Sequence, residues 1–516
     1  MGDLGFWRVA EADPERITLV EPDGTEHTAG ELLAGANRTA HGLRAIGLGR
    51  GDTVATLLPN SVEMLEVYLA GLQIGLYVTP INHHLVGPEV AYIVSDSDAK
   101  AFLTDERFAE AAKAAVEEID FPVSQRFAVG TIEGFRPNAE LGAGQPDTAP
   151  EGRTTGQPMH YTSGTTGRPK GVKRAIPELD PSDMAELLTM LMSLFGIQPR
   201  DGNVHITGSP LYHTAVLLWT ACALHMGHKV VLMDKWTPES MLELIDREAV
   251  TTSHMVPTQF HRLLSLPDDV RSRYDVSSLR HMVHAAAPCP PEIKRRMIEW
   301  WGDAIDEYYA ATEGGGTIIS AKEWLDKPGS VGRAWAGSEI RILDEEGTQL
   351  PPHTIGTVYM AIAATDFEYK DDPGKTSASR RDGFFTVGDV GELDEDGYLF
   401  LRDRKSDMII SGGVNIYPAE IESEIIVHPK VGDVAVFGIP HPDWGEEIKA
   451  VVEPAEGVEA SPALADELLA YAATRLGRFK LPKSLDFIDI MPRDPNGKLY
   501  KRKLRDPYWE GVDRQI

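Results

Sequence analysis

The stretch YTSGTTGRPKGV, residues 161–172, decides the fold. Its three glycines let the backbone turn tightly and approach a ligand, while four hydroxyl side chains and the backbone N–H groups can donate hydrogen bonds to phosphate oxygens. Lys170 adds a positive charge. The pattern predicts a polyphosphate-binding loop, although composition alone favours a flexible linker. The Walker A pattern cannot be written onto these residues, so a P-loop NTPase is a poor match.

Length and charge narrow the class of protein around this loop. The chain has 516 residues, which implies two or more domains because single domains hold roughly 100 to 200 residues. Its 50 basic and 79 acidic residues give a net charge of −29, which repels nucleic-acid backbones and anionic lipid surfaces. We therefore expect a folded enzyme with no nucleic-acid partner.

Cysteine usage and hydropathy bear on the compartment. Cys222 and Cys289 are too few for a disulfide framework or a cysteine metal site, and the N-terminal residues lack a signal-peptide pattern. Two histidines and a lysine interrupt the longest apolar stretch, residues 217–233, which falls short of the ~20 residues of a membrane span. These features predict a cytoplasmic protein with no membrane span.

Strand-like and helical patterns alternate along the first 300 residues. This alternation predicts an α/β fold with helices on the faces of the sheets. Further on, short strand-like runs at 331–361 predict an appended β subdomain. The predicted strands are 53–58, 204–207, 229–233, 251–256 and 281–286, and the predicted helices are 30–46, 61–74, 238–247 and 291–300.

A charged and polar cluster, DRKSD at 403–407, precedes a tail with its own α+β pattern. Helical periodicity at 419–426 and 462–476 is interspersed there with apolar runs at 434–439, 450–453 and 485–490. About 110 residues suffice for a small independent domain. We therefore predict a large N-terminal α/β domain at 1–402, a hinge at 403–406 and a smaller α+β domain at 407–516.

Five motifs occur in a fixed order. They are TSGTTGRPKG at 162–171, YAATE at 309–313, the pair Gly388 and Asp389, RKSDMIISGGVNIYPAEIE at 404–422 and PRDPNGK at 492–498. Together they resemble the adenylate-forming superfamily of acyl-CoA synthetases, adenylation domains and luciferases, and they cover about 340 residues. A joint match of this kind is far more specific than any single loop. The resemblance implies a mobile C-terminal domain and ATP-dependent activation of a carboxylic acid to acyl-AMP, with release of pyrophosphate.

The resemblance assigns ATP and Mg²⁺ to particular residues. It implies that the loop and Lys170 hold the β- and γ-phosphates, and that the Thr162 hydroxyl and the Glu313 carboxylate bind Mg²⁺, which prefers hard oxygen ligands. Asp389 would accept hydrogen bonds from the ribose hydroxyls, Tyr309 would stack on adenine, and Arg404 would bind ribose or the α-phosphate. The predicted nucleotide-binding set is Thr162, Ser163, Gly164, Thr165, Thr166, Gly167, Lys170, Ala286, Ala287, Tyr309, Ala310, Thr312, Asp389, Arg404 and Lys498.

Lys498 is the predicted catalytic cation. By resemblance it bridges the substrate carboxylate and the α-phosphate when the C-terminal domain closes, which offsets the repulsion between two anions. Lys170 and His213 complete the predicted catalytic set. One of several solvated tail lysines is the alternative for Lys498, but its Gly-Lys context favours the catalytic role.

The resemblance also suggests residues for the acid and for coenzyme A. His213, in the segment SPLYH, matches an aromatic position at the mouth of the acyl pocket, and Tyr212, Ala285, Gly314 and Gly315 are further candidate walls. Tight backbone packing is the alternative for the small residues. The predicted coenzyme A contacts are Gly412, Gly413, Phe479, Lys480 and Lys483.

Three positions depart from the family pattern without removing a reacting group. Ser406 stands where the hinge residue is usually Asp or Lys, Val387 replaces a common Thr, and AAAP at 285–288 replaces a Ser/Gly-rich loop. A hinge needs only to absorb a change in backbone torsion, so Ser is acceptable there.

The expected activity is that of an AMP-forming acyl-CoA synthetase of the fatty-acid type, although fatty, aryl and sterol-like acids all fit. Transfer to a carrier-protein thiol, an amine or oxygen stays an alternative, as does a degenerate homologue that only senses nucleotides. A homodimer is a base-rate expectation. Residues 475–505 hold ten basic and three acidic side chains, a local charge of +7, which suggests that the small domain carries positive charge to the anionic cosubstrates.

Overall fold

The computed structural model describes residues 2–162, 169–311, 313–362, 367–494 and 497–511. The chain forms two compact units. Unit 1 comprises Met1–His254, Tyr274–His281 and Ala364–Ala378, and unit 2 comprises Met255–Arg273, Met282–Ala363 and Ser379–Ile516. Within the described ranges, every helix is too short or too polar to cross a membrane.

The strands and helices alternate along most of the chain. The strands are β1 (Ile17–Val20), β2 (Glu26–Thr28), β3 (Thr53–Leu57), β4 (Tyr77–Pro80), β5 (Ala99–Asp105), β6 (Arg126–Val129), β7 (Arg136–Pro137), β8 (Gln157–Pro158), β9 (His160–Thr162), β10 (Lys170–Lys173), β11 (Val204–Thr207), β12 (Lys229–Leu232), β13 (Thr252–Met255), β14 (His281–His284), β15 (Ile305–Ala310), β16 (Gly316–Ile319), β17 (Arg333–Ala334), β18 (Ser338–Leu343), β19 (Gly356–Ile362), β20 (Glu368–Tyr369), β21 (Arg380–Arg381), β22 (Phe384–Phe385), β23 (Asp389–Leu393), β24 (Leu399–Arg404), β25 (Ile409–Ser411), β26 (Val414–Ile416), β27 (Val431–His441), β28 (Gly445–Pro454) and β29 (Ser484–Phe487). The helices are α1 (Phe6–Ala12), α2 (Ala29–Ala45), α3 (Val62–Gln73), α4 (Gly87–Asp96), α5 (Ala109–Glu118), α6 (Ala139–Gly142), α7 (Pro181–Ser193), α8 (Thr214–Met226), α9 (Pro238–Glu248), α10 (Pro257–Ser265), α11 (Asp268–Arg271), α12 (Pro291–Trp301), α13 (Ala321–Asp326), α14 (Pro373–Ala378), α15 (Pro418–Ile425), α16 (Pro462–Ala473) and α17 (Lys501–Arg505).

Unit 1 holds the α/β sheets that the sequence predicts. One sheet has the strand order β7-β6-β5-β3-β4-β8, and all its neighbours are parallel. A second runs β13-β11-β12-β1-β2, parallel except for the antiparallel pair of β1 and β2. The strand β3 is buried along its whole length, as expected where helices cover both faces of a parallel sheet.

Unit 2 is richer in antiparallel sheet. β14 and β15 are parallel, and β16 and β17 continue from them antiparallel. A second sheet, β21-β22-β19-β23-β24 with β18 beside β19, includes much of the predicted β subdomain. A third, β26-β25-β28-β27 with β29 beside β28, is built entirely from residues after Asp407.

Local signals explain why the predicted helices form where they do. The Thr28 hydroxyl accepts a hydrogen bond from the Glu31 backbone N–H, and the Glu31 carboxylate accepts one from the Thr28 backbone N–H, so α2 begins with a capping box. Ser61 caps α3 in the same way through its hydroxyl. The predicted helices 30–46 and 61–74 are confirmed, and each of their four ends lies within one residue of the prediction.

The predicted strand 281–286 and two apolar runs of the C-terminal tail differ in length from the strands of the structure. The predicted strand 281–286 ends at His284, because Ala286 adopts a left-handed conformation with φ 73° that cannot continue a strand. The short apolar runs at 434–439 and 450–453 belong to the long hairpin of β27 and β28, whose ladder extends into polar residues at both ends. The domain boundaries at 402 and 407 stay a prediction.

Candidate functional site

Lys170 lies at the start of β10, in unit 1, directly across the antiparallel ladder from Thr162 of β9. β20 pairs with the other edge of β10, so a three-stranded sheet holds the end of the predicted phosphate loop. The Nζ atom of Lys170 lies 3.7 Å from Oδ2 of Asp372, a contact that sequence reasoning missed. The predicted residues Ser163, Gly164, Thr165, Thr166 and Gly167, and the side chain of Thr162, lie outside the described part of the structure.

The two acyl-site candidates of unit 1 belong to an aromatic cluster. His213 is the N-cap residue of α8, and its ring lies 4.3 Å from the buried ring of Tyr212. His83 packs edge-on against Tyr212 at 5.0 Å and stacks on Phe108 at 4.8 Å. Burial, together with nearby positive groups, lowers the pKa of His83 to about 4, so its imidazole is neutral at pH 7. Sequence reasoning missed His83 and Phe108.

Tyr309, Asp389 and Arg404 come together in unit 2. The ladder between β23 and β24 places Asp389 directly opposite Arg404, and Nε of Arg404 lies 3.5 Å from Oδ1 of Asp389. The Tyr309 hydroxyl, reaching over from β15, donates a hydrogen bond of 2.6 Å to Oδ2 of Asp389. Burial and the Asp389 carboxylate raise the pKa of Tyr309 well above its ordinary value, so the phenol keeps its proton. We call these three residues the carboxylate cluster.

Small residues surround the end of β15 and the turn after β14. Ala285 is buried, whereas Ala286 is exposed and holds its positive φ at a cost of about 1 kcal/mol, a strain that often marks functional sites. Gly314 and Gly315 also have positive φ, 123° and 72°. The remaining candidates here are Ala287, which is half-buried, Ala310, which is exposed at the end of β15, and Thr312, which lies outside the described residues.

Glu313 is 6% exposed and follows β15 by three residues. Within the described ranges, no group of three or more His, Cys, Asp or Glu side chains could hold a metal ion. Mg²⁺ commonly binds one or two protein oxygens and completes its shell with phosphate and water. A single buried carboxylate is therefore compatible with a magnesium ion that arrives with a nucleotide.

Lys498 shares the surroundings of the carboxylate cluster. Gly497, which precedes it, has φ 77° and donates a backbone hydrogen bond of 2.8 Å to Asp494, while the Lys498 N–H donates to the Asp494 side chain at 2.9 Å. Burial and the positive charge of Arg404 lower the pKa of Lys498 to about 8, and the carboxylates of Asp494, Asp407 and Asp389 partly oppose that shift. Lys498, whose pKa is lowered, therefore lies within electrostatic reach of Arg404 and Asp389.

The predicted coenzyme A contacts lie on the surface of unit 2. Gly412 and Gly413 form the turn between β25 and β26 with φ 59° and 79°, a two-residue hairpin for which glycine is favoured. Gly412 N donates a 2.9 Å hydrogen bond to the carbonyl of Trp444, and Nζ of Lys483 lies 5.7 Å from the Trp444 ring. Trp444, which is 51% exposed, was missed by sequence reasoning; the signal was an isolated Trp in a polar turn.

Phe479 and Lys480 form a second pair on this surface. The Phe479 ring is 55% exposed, and Nζ of Lys480 lies 5.4 Å from its centre. The same ammonium binds the Glu420 carboxylate at 2.5 and 2.7 Å. Lys480 is therefore partly neutralised within the chain.

Carboxylates outside the basic segment 475–505 pair with many of its cations. Six of its ten cations bind carboxylates, three of which belong to α15, so the local +7 is largely compensated from outside the segment. Lys483 lies against Trp444, and Lys498 lies within electrostatic reach of Arg404 and Asp389. The six pairs are Arg475–Glu424, Lys480–Glu420, Arg493–Asp433, Lys501–Glu422, Arg502–Asp506 and Arg505–Asp407.

Comparison with known proteins identifies the class. Residues 6–364 match the family model of the AMP-binding enzyme, and residues 420–498 match the AMP-binding enzyme C-terminal domain. The chain belongs to this family, the adenylate-forming superfamily, with its large N-terminal domain and smaller C-terminal domain.

Individual relatives align over nearly the whole chain. The fatty acid–[acyl-carrier-protein] ligase ScoC of Streptomyces coeruleorubidus is 32% identical, over 96% of this chain and 94% of its own length. A feruloyl-CoA synthase of Amycolatopsis sp is 34% identical, over 97% and 98%. The crystal structure of ATP-bound MatB from Rhodopseudomonas palustris superposes with a TM-score of 0.82 at 31% identity, covering 98% of this chain and 99% of MatB. The relatives share adenylate-forming chemistry and differ in acid and acceptor.

The Tyr309→Phe variant tests the carboxylate cluster. Loss of one hydrogen bond to a charged group costs about 1.5–3 kcal/mol, so we expect the KM for ATP to rise by roughly 10- to 100-fold while the fold is retained. ATP-dependent pyrophosphate release measures this effect. Tyr308→Phe, at the neighbouring position of the same strand, is the control, and equal KM values in the two variants would contradict the role of the hydrogen bond.

Proposed function

We propose that this protein is an AMP-forming acyl-CoA synthetase, an acid–thiol ligase that converts a carboxylic acid, ATP and coenzyme A into acyl-CoA, AMP and pyrophosphate. The observation that carries the proposal is the cluster of Tyr309, Asp389 and Arg404, with Lys498 within electrostatic reach of it. The attack of one anion on another requires a cation between them, which Lys498 can supply. The neighbouring cluster is suited to binding the ribose of ATP.

In the first step, an oxygen of the substrate carboxylate attacks the α-phosphorus of ATP, and the bond from that phosphorus to the bridging oxygen of pyrophosphate breaks. Lys498 stabilises the charge shared between carboxylate and α-phosphate, while Arg404 assists at the ribose or the α-phosphate. Lys170, with the loop residues that precede it, holds the departing phosphates. Asp389, oriented by the Tyr309 hydroxyl and by Arg404, accepts hydrogen bonds from the ribose hydroxyls.

Magnesium is part of the proposal. Glu313 and the Thr162 hydroxyl are the residues that would hold the ion, which when bound neutralises charge on the phosphates of ATP. Ala286, Ala287, Ala310 and Thr312, with small or short side chains, would leave room for the adenine beside Tyr309.

In the second step, the thiol sulfur attacks the acyl carbonyl carbon, the carbon–oxygen bond to AMP breaks, and the thiol proton is released. Free coenzyme A is the proposed acceptor because two exposed rings, Trp444 and Phe479, can stack on its adenine, and Lys483 can pair with its phosphates. The Gly412–Gly413 turn beside Trp444 leaves space for the pantetheine arm. Transfer to a carrier-protein thiol or an amine is the second candidate, since ScoC acts on a carrier protein.

For the acid we propose an apolar carboxylate that enters beside His213 and Tyr212. The family resemblance suggests Ala285, Gly314 and Gly315 as its further contacts. The neutral imidazole of His83 and the ring of Phe108 extend this lining without adding charge. We further propose that residues 407–516 move about a hinge at 403–406, and that the enzyme acts in the cytoplasm. A homodimer is tested by sedimentation of the intact protein.

The activity is tested by measuring acid-dependent AMP and pyrophosphate formation over a panel of fatty and aryl acids, with and without coenzyme A. Lys498→Ala should lower acyl-AMP formation by about 100- to 1,000-fold, as expected when a positioned charge on the transition state is removed. Lys170→Ala should mainly raise the KM for ATP. Lys503→Ala, on the same C-terminal tail as Lys498, is the matched control for Lys498→Ala. Wild-type adenylation in Lys498→Ala would sink the catalytic assignment, and faster transfer to a carrier protein than to coenzyme A would favour the second candidate.

The rate should depend on the protonation of Lys498. Because its pKa is about 8 in the nucleotide-free enzyme and only the ammonium form supplies the charge, kcat/KM for ATP should fall as the pH rises through about 8. A pH profile of pyrophosphate release at saturating acid measures this limb. Arginine stays protonated, so the residual activity of Lys498→Arg should lose the limb, and a limb that persists near pH 8 would assign it to another group.

Trp444→Ala tests the proposed coenzyme A surface. Loss of base stacking costs about 1–3 kcal/mol, so the KM for coenzyme A should rise by roughly 5- to 150-fold with acyl-AMP formation unchanged. Trp444→Phe should retain most of the affinity because it keeps an aromatic face. An unchanged KM for coenzyme A in Trp444→Ala would remove Trp444 from the acceptor site.

A further inference from the structure

Asp403 sits next to the carboxylate cluster but has no role in the chemistry described so far. It is the residue before Arg404 on β24, and Val390 lies opposite it in the same ladder that sets Asp389 opposite Arg404. Successive residues of a strand point to opposite faces. The backbone position of Asp403 is therefore fixed together with the cluster, while its side chain is directed to the other side of the sheet.

The Asp403 carboxylate binds the first turn of α15. Its Oδ2 accepts a 2.9 Å hydrogen bond from the backbone N–H of Ala419, the second residue of that helix. The N–H groups of a first helical turn have no partner within the helix, and the helix dipole favours a negative charge there. Asp403 thus attaches β24 to α15.

The same helix is attached to the segment that carries Lys498. Glu422, three residues after Ala419, accepts from Nζ of Lys501 at 2.9 Å and from the Val436 N–H at 2.7 Å. The side chains of Lys501 and Glu422 are only 11% and 19% exposed. Lys501 begins α17, three residues after Lys498. Helix α15 therefore connects β24, the strand of Arg404, to Lys501 and so to the segment that carries Lys498.

Electrostatics ties the two attachments together. Burial raises the pKa of Asp403, and attraction to the Lys501 ammonium is the largest opposing effect. Burial also raises the pKa of Glu422, again against the attraction of Lys501. Both carboxylates are thus attracted to the same ammonium in a poorly solvated place, although only Glu422 is in contact with it. Removal of one charge there has larger consequences than at the surface.

We propose that Asp403 is a positioning residue for acyl-AMP formation, because its hydrogen bond to Ala419 of α15, and the ion pair of Glu422 in that helix with Lys501, hold Lys498 near Asp389 and Arg404. The inference rests on the proposed role of Lys498. Only the step in which a carboxylate attacks a phosphate needs that cation in place, so loss of Asp403 should separate the two half-reactions. Transfer of the acyl group from preformed acyl-AMP to coenzyme A should not depend on it.

The experiment compares the two half-reactions in Asp403→Asn. This change removes the charge but keeps the size of the side chain and an oxygen that can accept from Ala419. We expect acyl-AMP formation to fall by about 10- to 100-fold, since small displacements of a catalytic group have effects of this size. Acyl transfer from supplied acyl-AMP should stay within about twofold of wild type. Asp486→Asn is the matched control, because Asp486 binds Lys449 at 2.7 Å in the same C-terminal sheet without contacting β24.

Variants at Lys501, which pairs with Glu422 of α15, give a second test. Lys501→Gln should show the same separation of half-reactions, Lys501→Arg should resemble wild type, and the effects of Asp403→Asn and Lys501→Gln should be less than additive in the double variant. Equal losses in both half-reactions, an equal loss in Asp486→Asn, or unchanged adenylation in both single variants would overturn the proposal. A wild-type protein that forms no acyl-AMP from any acid would instead refute the proposed function.

Discussion

The antiparallel ladder between β23 and β24 is the constraint on which the site depends. It sets Asp389 opposite Arg404, so a carboxylate and a guanidinium that are distant along the chain face each other without help from any flexible loop. Tyr309 then orients the carboxylate from β15 through a short hydrogen bond. A slip of β24 by one residue would turn Arg404 to the face of the sheet opposite Asp389. The ladder itself therefore sets the two charges opposite each other, which suits a site that works by positioning charges.

Charge in the C-terminal part serves the structure first and the substrates second. Glu420, Glu422 and Glu424 of α15 bind three cations of the basic segment, so part of the positive charge counted in the sequence holds α15 to the chain that follows it. What distinguishes Lys498 is its setting, because Arg404 and burial act on it against the nearby carboxylates. In this poorly solvated place, the ammonium of Lys498 attracts an incoming anion more strongly than it would in water.

Sequence reasoning found the parts of the site more readily than their connections. Helical periodicity is a local signal, which is why α2 and α3 were predicted closely, and the caps at Thr28 and Ser61 set where these helices begin. The motifs gave Tyr309 and Asp389 separately, but the hydrogen bond between them depends on pairing across two sheets. Asp372 and Trp444 carry no motif, and their importance comes from contacts formed only in the folded chain. The turn at Ala286 was hidden as well, since alanine disfavours positive φ.

The pKa of Lys498 couples the binding of a proton by this lysine to the binding of ATP. With a pKa of about 8, a fraction of the enzyme at neutral pH lacks this charge until a polyanion arrives. The phosphates of ATP favour the ammonium form, so binding of ATP raises the affinity of Lys498 for its proton, and by linkage the proton strengthens the binding of ATP. Desolvation that would be a cost in an isolated lysine therefore becomes a means of coupling charge to substrate. The carboxylates of Asp389, Asp407 and Asp494 limit that cost, because they keep the pKa from falling further before the nucleotide binds.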